Sequence, residues 1–205
     1  MDDQWTPLDI SEIRMLFASV SIPWWIAGGV AIDLFLGWET RSHDDIDIEM
    51  FRSDNDALFD VFVGWDLELV SGGEMAPFVR GEELAQDVYG VWGRPNGDDR
   101  WAVEVIFADG DVEEWQFRRD NSITLQGGQL LKHTSDGTPY CAPEVQLLYK
   151  SKVARPKDDV DFARCLHRMT GAQRDWLASA VARSEPGHPW VVALHAANSG
   201  SMNEA

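Results

Sequence analysis

The chain has 205 residues, 44% hydrophobic and 25% charged, with 17 basic against 35 acidic side chains and a net charge of −18. That is enough apolar sequence for a sizeable core in one large domain or two small ones. The acidic surplus argues against a nucleic-acid or anionic-membrane partner and favours cationic small molecules, and no apolar run approaches the roughly 18 residues of a membrane span.

The opening "MDDQWTPLDI" lacks the basic stretch of a secretory signal. Ile10, Ile13, Leu16, Phe17 and Val20 recur at helical spacing, with Asp9 and Glu12 as a capping pair, and Pro23 stops the helix. "WWIA" then reads as a short buried strand. Gly28-Gly29 turns into a helix over Val30–Leu36 that Gly37 closes. After the loop "TRSHD", the alternation of "DIDIEMF" predicts a second strand. Asp54 can cap a helix from Asn55 to Val63. Strands follow in "WDLELV", "DVYGVW", "RWAVEVIF" and "SITL", with Asn96-Gly97 at a hairpin tip.

From Pro143 the text turns helical: "PEVQLLYKSKVA", "DDVDFARCLHRM", "AQRDWLASAVARS" and "HPWVVALHAA" are four helices in succession. The fold class is therefore α+β, with a mixed sheet and flanking helices over residues 1–138. A small helical domain follows over 139–198, and the tail 199–205 is expected to be disordered. Cys141 and Cys165 have no metal-ligand spacing and fit reduced, buried thiols of a cytoplasmic protein.

The chemistry gathers between residues 28 and 47. Alternate residues of a strand share a face, so Asp45 and Asp47 present two carboxylates together while Ile46 and Ile48 point to the core. Such a pair repels unless a cation lies between, and an oxygen-loving divalent ion such as Mg²⁺ fits it. Glu104, the lone charge in "WAVEVIF", is the candidate third acid. The glycines Gly28 and Gly29 let backbone approach anionic oxygens at a helix start. Arg41 and His43 stand just upstream of the carboxylates and can hold phosphate. The stretch reads as a seat for a metal–nucleotide complex. It lacks the later glycines of a dinucleotide fingerprint and the Lys-Ser/Thr of a phosphate loop.

"GGVAIDLFLGWETRSHDDIDI" resembles the signature of the antibiotic-modifying branch of the polymerase-β-like nucleotidyltransferases, the aminoglycoside 2″- and lincosamide nucleotidyltransferases. "PYCAPEVQLLYKSKVARPKDDVDFARCL" is similar to a C-terminal block of uncharacterised relatives. The resemblance implies that Asp45 and Asp47 bind metal, that Gly28 and Gly29 line a triphosphate, and that Glu104 is a ligand or base where the branch commonly has aspartate. It implies two Mg²⁺ ions, an NTP co-substrate such as ATP, and transfer of a nucleoside monophosphate to a hydroxyl of a small, cationic acceptor. It leaves a homodimer open, since a second subunit completes the acceptor pocket in some members.

Lys150, Lys152, Arg155 and Lys157 place four cations within eight residues, a patch that can neutralise triphosphate. Asp158, Asp159 and Asp161 read as acids charging the start of the next helix. Two other readings keep the fold: a transferase acting on tRNA or protein, and a nucleotide-binding module without catalysis.

Overall fold

A computed structural model describes residues 4–201. In chain order the elements begin with α1 (Ile10–Phe17), β1 (Trp24–Ile26), α2 (Gly28–Leu36) and β2 (Asp47–Phe51). A 3₁₀ turn (Arg52–Ala57) leads into α3 (Leu58–Val61). Strands β3 (Trp65–Ser71), β4 (Glu74–Pro77), β5 (Gly90–Pro95), β6 (Val103–Gly110), β7 (Glu114–Gln116) and β8 (Thr124–Gln126) follow. After the short α4 (Gly127–Leu130) come β9 (Leu131–His133) and β10 (Pro139–Cys141). The helices α5 (Pro143–Ser151), α6 (Pro156–Leu166), α7 (Gly171–Ser184) and α8 (Pro189–Ser201) finish the described chain.

The capping pair is formed: the Asp9 carboxylate accepts the Glu12 N–H, and Glu12 takes the Asp9 N–H at 2.8 Å, which fixes the start of α1 and turns Ile13 and Phe17 into the core. Gly37, at φ 86°, gives α2 its left-handed stop. Asp54 caps nothing, because the chain enters a 3₁₀ turn at Arg52 instead of a helix at Asn55.

The sheet is mixed, in the order β4-β3-β5-β6-β2-β1-β10-β9, with β7 on the end of β6 and β8 on β7. β2 runs parallel to β6 and β1 to β10, and the other pairs are antiparallel. β10 completes the sheet beside β1, so the boundary drawn at 138 falls just before a strand of the sheet, and the helical run starts at Pro143. A single core joins both parts, from Trp25, Ile48 and Phe107 on the sheet to Leu147, Leu177 and Val181 on the helices. α8 continues to Ser201, past the expected start of the tail, and residues 202–205 lie outside the described residues. Both cysteines are buried free thiols. Among the described residues no helix is long and apolar enough to cross a membrane.

Candidate active site

The parallel pairing of β2 with β6 sets Asp47 directly opposite Glu104, and β5 sets Trp92 opposite Glu104 from the other side. Cross-strand partners share a sheet face, so the lone acid of the apolar strand stands on the same face as Asp47. Asp45 stands in the lead-in to β2, two residues before the strand, and is exposed. Burial, and secondarily the Asp45 charge, holds the Asp47 carboxyl above its usual range. Glu104 is also raised, by burial first, with smaller contributions from Asp47 and Asp45. Among the described residues no three His, Cys, Asp or Glu side chains make a ready-formed metal cage. The expected trio shares a face and a field without closing on one point.

The sequence reading missed a further acid. Glu49 continues the Asp45–Asp47 alternation, is buried, and accepts the Trp25 indole N–H at 2.7 Å. Its position was visible in "DIDIEMF", but its burial depends on β1 and α5 covering that end of the strand. Burial pushes its carboxyl up to about 7, against a usual 4.5, with the Trp25 hydrogen bond opposing and Asp47 adding to the rise. The folded state therefore holds this proton more tightly than the unfolded chain. Its contribution to stability is full below about 4.5 and falls as pH climbs to about 7, by on the order of 3 kcal/mol. Glu49→Gln is expected to remove that slope, so that the Tm gap between variant and parent widens from pH 5 to 8. Parallel Tm profiles over that range would refute the assignment.

The two glycines at the α2 start make room for the site. Gly28 has φ 64°, and a Cβ there would lie 1.9 Å from Asp47 Oδ2. A Cβ on Gly29 would lie 2.4 Å from Arg41 Nη2 and 2.6 Å from His43 Cε1. The expected phosphate seat differs in one respect: the Gly28 N–H is already bound, donating to Gln146 Oε1 at 2.6 Å. His43 is held by Asp33, whose Oδ2 lies 2.7 Å from Nε2 while its Oδ1 accepts the Thr40 hydroxyl at 2.6 Å. Nδ1 is the ring nitrogen left for a ligand, and it donates only in the imidazolium form.

α5 and α6 supply the opposite wall, and it corrects the reading of the lysine patch. Lys150 is sealed between Asp158 and Asp161, at 3.1 and 3.0 Å, and both aspartates are buried. Arg155 binds Asp158 at 2.8 Å, and Arg41 lies 3.8 Å from Asp161. Asp158 does cap α6, but Asp158 and Asp161 also neutralise the patch from within, so Lys150 lines the cleft with its ammonium already paired to both. Lys152 is exposed and lies off the cleft lining, which Lys157 joins. Arg118 and Arg119, from the β7–β8 connection, also line it, and they had no local signature in "QFRRD". Removing Lys150 leaves two buried carboxylates short of a cation. Lys150→Met is expected to cost about 3 kcal/mol and to lower Tm by about 10 °C. An unchanged Tm would contradict the pairing.

Asp45, Asp47 and Glu49 share one cleft of about 430 Å³ with the glycine turn, and it runs from Gly28 to Arg118, Tyr149 and Lys157; Glu104 is not on its lining. A second cavity, of about 1030 Å³, opens across the 38–46 loop and shares His43 and Asp45 with the first. No lysine or arginine lines it, whereas Asp9, Glu39 and Trp38 do. Lysine and arginine are thus confined to one side of Asp45, while carboxylates line both cavities.

Known proteins share part of this sequence and the fold. Residues 9–67 fit the family model described as aminoglycoside-2″-adenylyltransferase. Over 99 residues the chain is 33% identical to 2″-aminoglycoside nucleotidyltransferases of Escherichia coli and Klebsiella pneumoniae, an alignment covering 43% of this chain. It covers 55% of those proteins, so the chain spans about half the length of the curated relatives it matches. A lincosamide antibiotic adenylyltransferase solved with lincomycin bound superposes with TM-score 0.51 at 16% identity, over 78% of this chain and 97% of its own. ANT(2″)-Ia in complex with adenylyl-2″-tobramycin gives TM-score 0.53 at 19% identity, over 85% and 95% respectively. At those identities the structural likeness is one of fold. In sequence through its glycine turn and Asp-Ile-Asp strand, and in fold over most of its length, the chain is similar to the aminoglycoside- and lincosamide-modifying branch of the nucleotidyltransferases.

Proposed function

We propose that the chain is a Mg²⁺-dependent nucleotidyltransferase that moves a nucleoside monophosphate from an NTP, ATP foremost, to a hydroxyl of a small molecule such as an aminoglycoside-like antibiotic. One observation carries the reading: a crowded carboxylate pair, a glycine turn and a cationic wall share one cleft. The donor set fits a hard divalent ion. Asp45 and Asp47 offer oxygen only, the nearby Lys150, His43 and Lys157 charges leave the Asp47 carboxyl still raised, and Mg²⁺ takes one or two protein carboxylates and fills its shell with water and phosphate oxygens. Asp45 and Asp47 would hold it, with Glu104 beside them. When bound, it neutralises charge on the phosphoryl oxygens and steadies the leaving group.

The chain's own groups do the rest. Arg118, Arg119 and Lys157 draw in the triphosphate, and Arg41 with His43 meets it at the α2 start. Glu104, its proton affinity raised by burial, takes the proton from the acceptor hydroxyl. The hydroxyl oxygen then bonds to the α-phosphorus as the bond to pyrophosphate breaks. The acid-lined cavity beside Asp45 suits a cationic acceptor. The proteins named above, solved with lincomycin and adenylyl-tobramycin, support a small-molecule acceptor. The net charge of −18 disfavours tRNA.

Incubation with labelled NTPs, Mg²⁺ and a panel of aminoglycosides and lincosamides is expected to release pyrophosphate and give one nucleotidylated antibiotic per pyrophosphate. Folded, nucleotide-binding protein that modifies no panel member would overturn the antibiotic acceptor.

A further inference from the structure

Gln146 is 3% exposed, sits on α5 and lines the cleft. Its two amide atoms have opposite fates. Oε1 accepts the Gly28 N–H at 2.6 Å, whereas Nε2 is buried and has no hydrogen-bond partner. Turning the amide over cannot repair this, because it would set the NH₂ against the Gly28 N–H, donor against donor. The Cys141 thiol lies beside Gln146, but sulfur is a weak acceptor and no hydrogen bond of normal geometry joins them. A buried unmet donor costs about 1–3 kcal/mol, so a cleft that orients one rigidly is shaped for an acceptor arriving from outside.

The surroundings say which acceptor. Arg118, Arg119 and Lys157 line the same cleft, and Gln146 stands at the N-terminus of α2, where the helix field favours negative charge. Resting on the nucleotide reading above, we propose that Gln146 binds the nucleotide's phosphate chain, donating Nε2–H to a non-bridging phosphate oxygen while Oε1 holds the glycine turn. One side chain from the C-terminal helices thus takes over the donor role that the Gly28 N–H gives up. It also ties the position of the phosphate to that of Asp47, which packs against Gly28.

Gln146→Glu keeps an oxygen for the Gly28 N–H and replaces the amide donor with oxygen. It is tested by titration with α,β-methylene-ATP plus Mg²⁺ and with inorganic tripolyphosphate, alongside Tm. The expected result is a Kd about tenfold or more higher for both probes at a temperature where the Tm shows the variant still folded, as a lost hydrogen bond to a charged group requires. In the parent protein, the Gln146 side-chain NH₂ resonance should move on adding tripolyphosphate and stay still with adenosine, a readout that serves even if the variant fails to fold. If the parent binds both probes but the variant binds them equally well and the resonance does not move, Gln146 is only a clamp and the nucleotide reading stands. If the parent binds neither probe, the nucleotide reading falls and this inference falls with it.

Discussion

Asp47→Asn is expected to lower nucleotide transfer by about three orders of magnitude or more while leaving the fold at least as stable at neutral pH. The loss follows from removing one of the two carboxylates that would hold the divalent ion, whose charge stabilisation accounts for several kcal/mol of such a barrier. The stability half follows from the folded-state proton affinity. Burial, and then Asp45, raises the Asp47 pKa above the unfolded value of 3.8, so the folded state binds the proton more tightly. Stability from this group is greatest below the unfolded pKa and declines as pH rises through the folded one. At pH 7 the ionised side chain opposes folding, and an asparagine does not. Added Mg²⁺ should raise the Tm of the parent and leave that of the variant unmoved. A variant that loses Tm, or that still responds to Mg²⁺, would show that Asp47 is structural.

Gly28→Ala should be the more damaging of the two single methyls at the α2 start. Its left-handed backbone costs a non-glycine residue roughly 1–2 kcal/mol, and the new carbon would sit 1.9 Å from Asp47 Oδ2, so the carboxylate or the turn must move. We expect a Tm about 10 °C lower, on the order of 3 kcal/mol, and transfer reduced as far as in Asp47→Asn. Gly29→Ala is the internal comparison. Its backbone is not left-handed, and the atoms it would meet belong to the Arg41 and His43 side chains. It should fold with little change in Tm and show a raised KM for the nucleotide. Calorimetry and steady-state kinetics on the two variants check this, and equal Tm losses would contradict it.

The site was half legible in the chain. Asp45, Asp47 and Glu104 could be read because a charge in an apolar alternating strand is conspicuous wherever it occurs. Gly28 and Gly29 could be read because close backbone approach calls for that residue. The pairing of Lys150 was not legible for the converse reason: its four-cation neighbourhood looks open until α6 folds back and buries Asp158 and Asp161 against it. Arg118 and Arg119 reach the cleft only because β7 and β8 fold that connection over α5, where Arg119 donates to the Tyr149 carbonyl. The strands β4, β7, β9 and β10 have three or four residues each and, unlike the equally short "WWIA" and "SITL", no β-branched residue, so their identity as strands comes from their neighbours.

By itself the sequence determined where backbone turns, which face of each long element is apolar, and that two carboxylates follow a glycine bend, since caps, periodicity and glycine act over a few residues. Only the tertiary structure decided which cations remain open to a ligand, that Glu49 is buried, and that Gln146 takes the Gly28 N–H. Each of those depends on two distant segments meeting, and the cost of a buried charge or the partner of a donor is set by what packs against it.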